Sequence, residues 1–214
     1  MRALNWIERW AARGAVLELP EAARSGPPGH EPRSPEREAN ENPADVGLLE
    51  LLREDFRTHG NRASPGFIAV ALHRLGNARM DVEPKLLRGP LSLTYKAAFT
   101  CVHWFWGIDL SYTVRLGRRV WLSEHGGITL NARAIGDDVR IHHNTTLGVA
   151  HRDQLADKPV VCNRVEIGAG VCMLGAITVA DGCRVGANAV VVRDLPAGVT
   201  AVGVPARALQ SSAG

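Results

Sequence analysis

Residues 161–195 read VCNRVEIGAGVCMLGAITVADGCRVGANAVVVRDL, and the spacing within them decides the fold. Every sixth residue is bulky and apolar: Val161, Ile167, Met173, Val179, Val185 and Val191. Four residues after each comes a second apolar or small set, Val165, Val171, Ile177, Cys183, Ala189 and Leu195. The residue following a guide position is often small, as at Gly168, Ala180 and Gly186. A helix cannot hold positions six apart on one face for this long, and an alternating strand does not demand period six. A short strand, a tight turn and another short strand satisfy it, with each guide side chain pointing into a narrow core. Three such strands make one triangular coil of a parallel β-solenoid. Coils of this kind bury their apolar faces only by stacking on one another.

The period extends towards the N-terminus. Leu116, Leu122 and Ile128 are spaced by six, as are Ile135, Ile141 and Leu147. The step from Ile128 to Ile135 is seven, so the phase slips once, near His125 to Ala134. Fourteen residues separate Leu147 from Val161, and the polar run VAHRDQLADK (149–158) cannot fill a triangular core. It reads as an extruded loop, 149–159, within a solenoid spanning 108–209. An insertion of this kind is where function tends to sit.

Residues 46–107 read as an α-helical cap. Leu48, Leu49, Leu51, Leu52 and Phe56 suit one buried helix face, and Gly60 ends that helix. Ser64-Pro65 opens a second helix, with Ser as cap and Pro at the first helical position, and Phe67, Val70, Ala71 and Leu75 at helical spacing. Pro84 and Pro90 break the chain, so a third helix is expected from Leu91 to Trp106. Residues 24–45, rich in Pro, Glu, Arg and Asn, have almost nothing to bury and read as a disordered linker. Residues 1–23 form a possible amphipathic helix, with Leu4, Ile7 and Ala11 on one face; 210–214 are a tail. The fold class expected is mainly a β solenoid with an α cap.

Composition excludes several classes. A formal net charge of +3 on 214 residues, with scattered Arg, argues against nucleic acid. Cys101, Cys162, Cys172 and Cys183 form no CxxC pair, and three lie where the repeat wants a small apolar residue. They read as core cysteines in a reducing compartment, implying neither zinc nor disulfides. The N-terminus, MRALNWIERWAARG, is broken by charges, unlike a signal peptide. Residues 97–106 (AAFTCVHWFW) are apolar but too short to span a bilayer. The chain reads as cytoplasmic, with no membrane span.

Four stretches carry a resemblance: FWGIDL (105–110), EHGGITLNARAIGDDVRI (124–141), NTTLGV (144–149), and residues 167–207, which end in Gly203-Val204-Pro205-Ala206-Arg207. With these the chain resembles the hexapeptide-repeat acyltransferases, and among them the serine acetyltransferases. The resemblance implies a left-handed parallel β-helix, against the usual right-handed crossover. It also implies a homotrimer or dimer of trimers with sites in the clefts between solenoids, acetyl-CoA as co-substrate, no metal, and a small-molecule acceptor.

Direct acetyl transfer asks for a base to deprotonate the acceptor hydroxyl and for donors to the oxyanion, and histidine has the right pKa. The resemblance points to Glu124-His125, with Asp109 of the GID segment orienting the imidazole. Asp109 and His125 stand one residue further apart than the family spacing, so an ungapped reading puts Glu124 on the catalytic position. The family's loop carries Arg-His-Pro near the acceptor's carboxylate; this chain has Asp157-Lys158-Pro159, with Lys158 supplying the positive charge. Ala169 and Ala187 match CoA-lining positions, and Arg184 and Arg207 are candidates for the nucleotide phosphates. One of His142 and His143, just after guide Ile141, is expected to face outward. The acceptor implied is L-serine, with a sugar hydroxyl as the alternative. A zinc hydratase using His125, His142 or His143, and His151, and a non-catalytic scaffold, are the readings from other classes.

Overall fold

A computed structural model describes residues 40–82, 85–151 and 155–209, with backbone alone for 85–87. The helix expected in 1–23, most of the 24–45 linker and the tail after 209 lie outside the described residues.

Three helices come first: α1 (Leu48–Thr58), α2 (Pro65–Ala78), continued by a 3-10 turn (Arg79–Asp81), and α3 (Lys85–Trp106). The first turn of the solenoid holds β1 (Ile108–Asp109), β2 (Arg115–Leu116) and β3 (Trp121–Leu122). The second holds β4 (Ile128–Leu130), β5 (Ala134–Ile135) and β6 (Arg140–Ile141). The third holds β7 (Thr146–Gly148), β8 (Val160–Val161) and β9 (Glu166–Ile167), and the fourth β10 (Cys172–Leu174), β11 (Thr178–Val179) and β12 (Arg184–Val185). β13 (Val190–Val191), β14 (Thr200–Val202) and β15 (Arg207–Ala208) end it.

These strands stack as three flat walls. The first sheet runs β1-β4-β7-β10-β13, the second β2-β5-β8-β11, and the third β3-β6-β9-β12-β14-β15. All pairings are parallel except the closing β14–β15 hairpin, which turns the last edge back on itself. The guide residues align across coils: Leu116, Ile135, Val161 and Val179 in the second sheet, and Leu122, Ile141, Ile167 and Val185 in the third. All six guides from Val161 to Val191, and all six companions from Val165 to Leu195, are buried. At one corner, side chains tie successive coils: Asp137, Asn163 and Asp181 each accept, through Oδ1, a backbone N–H of the coil before.

The register relocates the phase slip. Leu130, not Ile128, pairs with Leu147, while Ile128 pairs with Ile108. The path from Leu122 to Leu130 is therefore eight residues, against six from Ile141 to Leu147. The surplus sits in the turn Ser123–Gly127 itself, the turn that carries Glu124 and His125, and β4 buries both Ile128 and Leu130.

The cap closes the open edge of the first coil, and it does so with polar side chains. Arg74 is fully buried, pairs with the equally buried Asp55 at 3.0 Å, and donates to the Leu116 carbonyl at 2.8 Å and to that of Gly117. His73 bonds the Val114 carbonyl at 2.8 Å and Asn77 that of Tyr112 at 3.1 Å. An unpaired strand edge presents a row of backbone groups that need partners, and α2 supplies them.

The structure differs from the sequence reading in five places. α2 buries His73, Arg74 and Asn77, while Leu75 is half exposed; on α1, Leu49 is exposed and Asp55 buried. α3 begins at Lys85 and runs through Pro90, which lies near its start on an exposed stretch with Gly89, where water can serve the carbonyl that proline leaves without an N–H donor. Residues 40–45, assigned to the linker, form an ordered strap: Asn42 donates to the Arg74 carbonyl, Asn40 to Asp81, and Asp45 pairs with Arg118. Cys172 points outward from the first sheet and is half-buried, and Cys101 is exposed; only Cys162 and Cys183 are core residues. All four are free.

Candidate active site

The turn between the third and first sheets repeats in every coil, and backbone bonds fix its register. Asn144 N donates to the Gly126 carbonyl at 3.2 Å, Gly170 N to that of His143 at 2.9 Å, and Asn188 N to that of Ala169 at 2.8 Å. Gly126, His143, Ala169 and Ala187 are thus equivalent corners of successive coils. The residues just after them, Gly127, Asn144, Gly170 and Asn188, all hold positive φ between 56° and 76°, a conformation open to Gly and Asn. Read down the corner, the pairs are His125-Gly126, His142-His143, Gly168-Ala169 and Gly186-Ala187.

The long first turn puts His125 on the surface at the head of this column. Ser123 is buried, and its Oγ accepts the His125 N–H at 3.2 Å. Gly126 lies so close to the end of α3 that a Cβ there would sit 1.6 Å from the Trp106 carbonyl oxygen. On the other side, Gly66 of α2 packs its Cα against the Leu122 carbonyl, which a Cβ would meet at 2.2 Å. His59 Nε2 accepts the Leu122 N–H at 3.2 Å, so the proton is on Nδ1, which donates to the Asp55 carbonyl at 2.7 Å. Burial holds the His59 imidazole below its ordinary pKa, consistent with that neutral form.

The two adjacent histidines of the second coil separate. His142 stands edge-on to Trp121, whose ring also carries Arg140 at 4.8 Å. His143 takes the corner and meets His125 edge-to-face, ring centroids 5.8 Å apart. Glu124 is exposed beside them. Asp109 is half-buried on β1, in register with Thr129 of β4; among the described residues no hydrogen bond joins it to His125.

The column therefore brings together His125, Ala169 and Ala187, with Glu124 at its head. Arg184 lies exposed on the third sheet, two residues before Gly186, and reaches Glu166 at 3.9 Å. Arg207 is exposed in the closing hairpin. Asp157 and Lys158 lie at the corner between the first and second sheets, so the whole first sheet separates them from His125 within one chain. That loop is braced by Arg133, which donates to the Ala156 carbonyl at 3.1 Å.

A cleft of about 500 Å³ between the 40–45 strap and the second sheet is lined by Arg115, Arg118 and Asp137; no histidine borders it. Among the described residues no three His, Cys, Asp or Glu side chains converge on a metal position, and no helix is long and apolar enough to cross a membrane. Sequence reasoning left His142 and His143 undistinguished and missed Ser123 and Gly66, whose roles depend on contacts between distant segments.

No family model matches the chain. Among curated relatives, the serine acetyltransferase of Helicobacter pylori is 36% identical over 146 residues, covering 68% of this chain and 81% of that protein. That of Mycobacterium tuberculosis is 35% identical over 149 residues, 69% of this chain and 62% of the relative. Among solved structures, the serine acetyltransferase of Brucella abortus superposes with a TM-score of 0.61 at 25% identity, covering 79% of each chain. Soybean serine acetyltransferase complexed with serine gives 0.63 at 27% identity, over 76% of this chain and 69% of that one. The solenoid is accordingly a left-handed parallel β-helix.

Proposed function

The chain belongs to the serine acetyltransferase family, and on that premise we propose that it transfers the acetyl group of acetyl-CoA to the hydroxyl of L-serine, making O-acetyl-L-serine. The observation that carries this reading is the corner column: two alanines that leave a narrow track for a pantetheine arm, ending beside an exposed imidazole. In the reaction the serine oxygen attacks the thioester carbonyl carbon while His125 takes its proton. The C–S bond then breaks, and the imidazolium returns a proton to the departing thiolate. Asp109 orients His125 and favours its charged form as the proton arrives. Glu124 is the neighbouring carboxylate. Lys158 serves the acceptor's carboxylate from a neighbouring solenoid, since the first sheet stands between them in one chain. Arg184 and Arg207 meet the nucleotide phosphates further down.

That division of labour calls for a homotrimer, alone or paired. The exposed Trp104 and Phe105, each with 79% of their surface open at the end of α3, support burial against another copy. Four free cysteines suit a reducing cytoplasm. Asp157 in the loop favours one second reading, a sugar hydroxyl as acceptor, because a carboxylate repels the carboxylate of an amino acid. Thiol release from acetyl-CoA, measured with L-serine and a panel of sugars, tests both. Release with L-serine is expected; release with a sugar alone transfers the activity to that class, and no release with any acceptor overturns acetyl transfer.

A further inference from the structure

We propose that His143 is a second catalytic imidazole, which ends the donor track and donates an N–H hydrogen bond to the oxyanion of the reacting thioester. The inference rests on the reading that acetyl-CoA lies along the corner column.

The register gives its position. His143 is the corner residue equivalent to Ala169 and Ala187, fixed by the Gly170 N–H bond to its carbonyl and by the Asn188 N–H bond to that of Ala169. A methyl group at two successive corners leaves the track open, and an imidazole at the third closes it. The thioester at the end of the pantetheine arm therefore stops against His143. The next ring is His125, 5.8 Å away between centroids and edge-on. A carbonyl group seated alongside the pair, against both rings, has one imidazole for its oxygen and one for the incoming hydroxyl.

The chemistry of the side chain fits. His143 is half-buried, and neither of its ring nitrogens has a hydrogen-bond partner among the described residues. Its neighbour His142 is spent on Trp121. A neutral imidazole carries one N–H, enough for one bond to the developing oxyanion. As the acceptor oxygen adds to the carbonyl carbon, its proton goes to His125 and the negative charge to the carbonyl oxygen, which His143 meets. Collapse re-forms the C=O bond, expels the thiolate, and moves the proton from His125 to sulfur. His143 ends as it began.

The test uses the full chain. His143→Phe keeps a ring of similar size against His125 but has no N–H; His143→Gln keeps a donor. CoA binding is followed by calorimetry, and turnover by thiol release at saturating acetyl-CoA and acceptor. His143→Phe is expected to bind CoA within about threefold of the unsubstituted protein while kcat falls on the order of 100-fold, with KM little changed. His143→Gln is expected to keep kcat within about tenfold. Unchanged kcat in His143→Phe, or equal losses in the two variants, overturns the role. If the unsubstituted protein turns over and His143→Phe matches it, only this inference falls; if the unsubstituted protein neither binds CoA nor releases thiol, the acetyl-transfer reading fails and carries this one with it.

Discussion

His59, at the end of α1, accepts the backbone N–H of Leu122 three residues before His125. One helix end of the cap thus holds the strand from which the reactive turn springs. His59→Ala leaves that buried N–H without a partner, which costs about 1–3 kcal/mol. Urea unfolding should report the loss, and kcat should fall more than KM rises because the turn loosens. A variant with unchanged kcat would show that Ser123 and Gly126 hold the turn without the cap.

The cap also makes stability depend on pH. Burial lowers the His59 pKa and drives His73 down to about 3 from 6.5. His73 Nδ1 is buried without a hydrogen-bond partner, so a proton there has nothing to bond. Both imidazoles are neutral when folded, whereas the unfolded chain takes up protons below its ordinary value of 6.5. The contribution of His73 is complete above that value and is lost as pH falls through the window towards about 3, and that of His59 is lost in the same direction. Asp55, lifted by burial, acts with the opposite sign at the acid end. The urea midpoint should therefore drop between about pH 8 and about pH 5.5, and His73→Gln should flatten that slope.

The buried Asp55–Arg74 pair pins α1, α2 and β2 together. Removing one member strands a charge: Arg74→Met should destabilise by about 3–5 kcal/mol, and Asp55→Leu combined with Arg74→Met should recover part of it. Chemical denaturation of the two variants measures this. Recovery will be incomplete, because the Leu116 and Gly117 carbonyls lose their donor in both.

Which of two neighbours takes the proton is open to a direct comparison. His125→Ala should reduce thiol release by about 100- to 10,000-fold, while Glu124→Ala should cost less than about tenfold. The reverse order would move the base to Glu124. Circular dichroism and unfolding midpoints should stay near those of the unsubstituted protein for both, since each side chain is exposed.

The donor track predicts a selective defect. Ala187→Leu, on an exposed corner, should raise the KM for acetyl-CoA at least about tenfold and leave the acceptor KM near its starting value. Ala169→Leu should act the same way with some added strain, because that corner is half-buried. Equal effects on both substrates would place the donor elsewhere.

The six-residue period by itself determined the solenoid, because side-chain direction within a coil is a local property: Val161 to Val191 had to point inward whatever surrounded them. The break in the period was legible for the same reason, since 149–158 offered no guide residue and β8 begins only at Val160. The face of α2 was legible only in part. Val70 is buried and Phe67 packs on Phe56, as their helical spacing suggests, yet Leu75 is half exposed and His73, Arg74 and Asn77 are buried, because the edge of the first coil presents unpaired carbonyls that polar side chains satisfy. The separation of His142 from His143, and the stacking of His125 above Ala169 and Ala187, likewise followed from backbone bonds between coils. Those bonds depend on how many residues each turn contains, and the surplus in Ser123–Gly127 takes its place only once the tertiary register is formed.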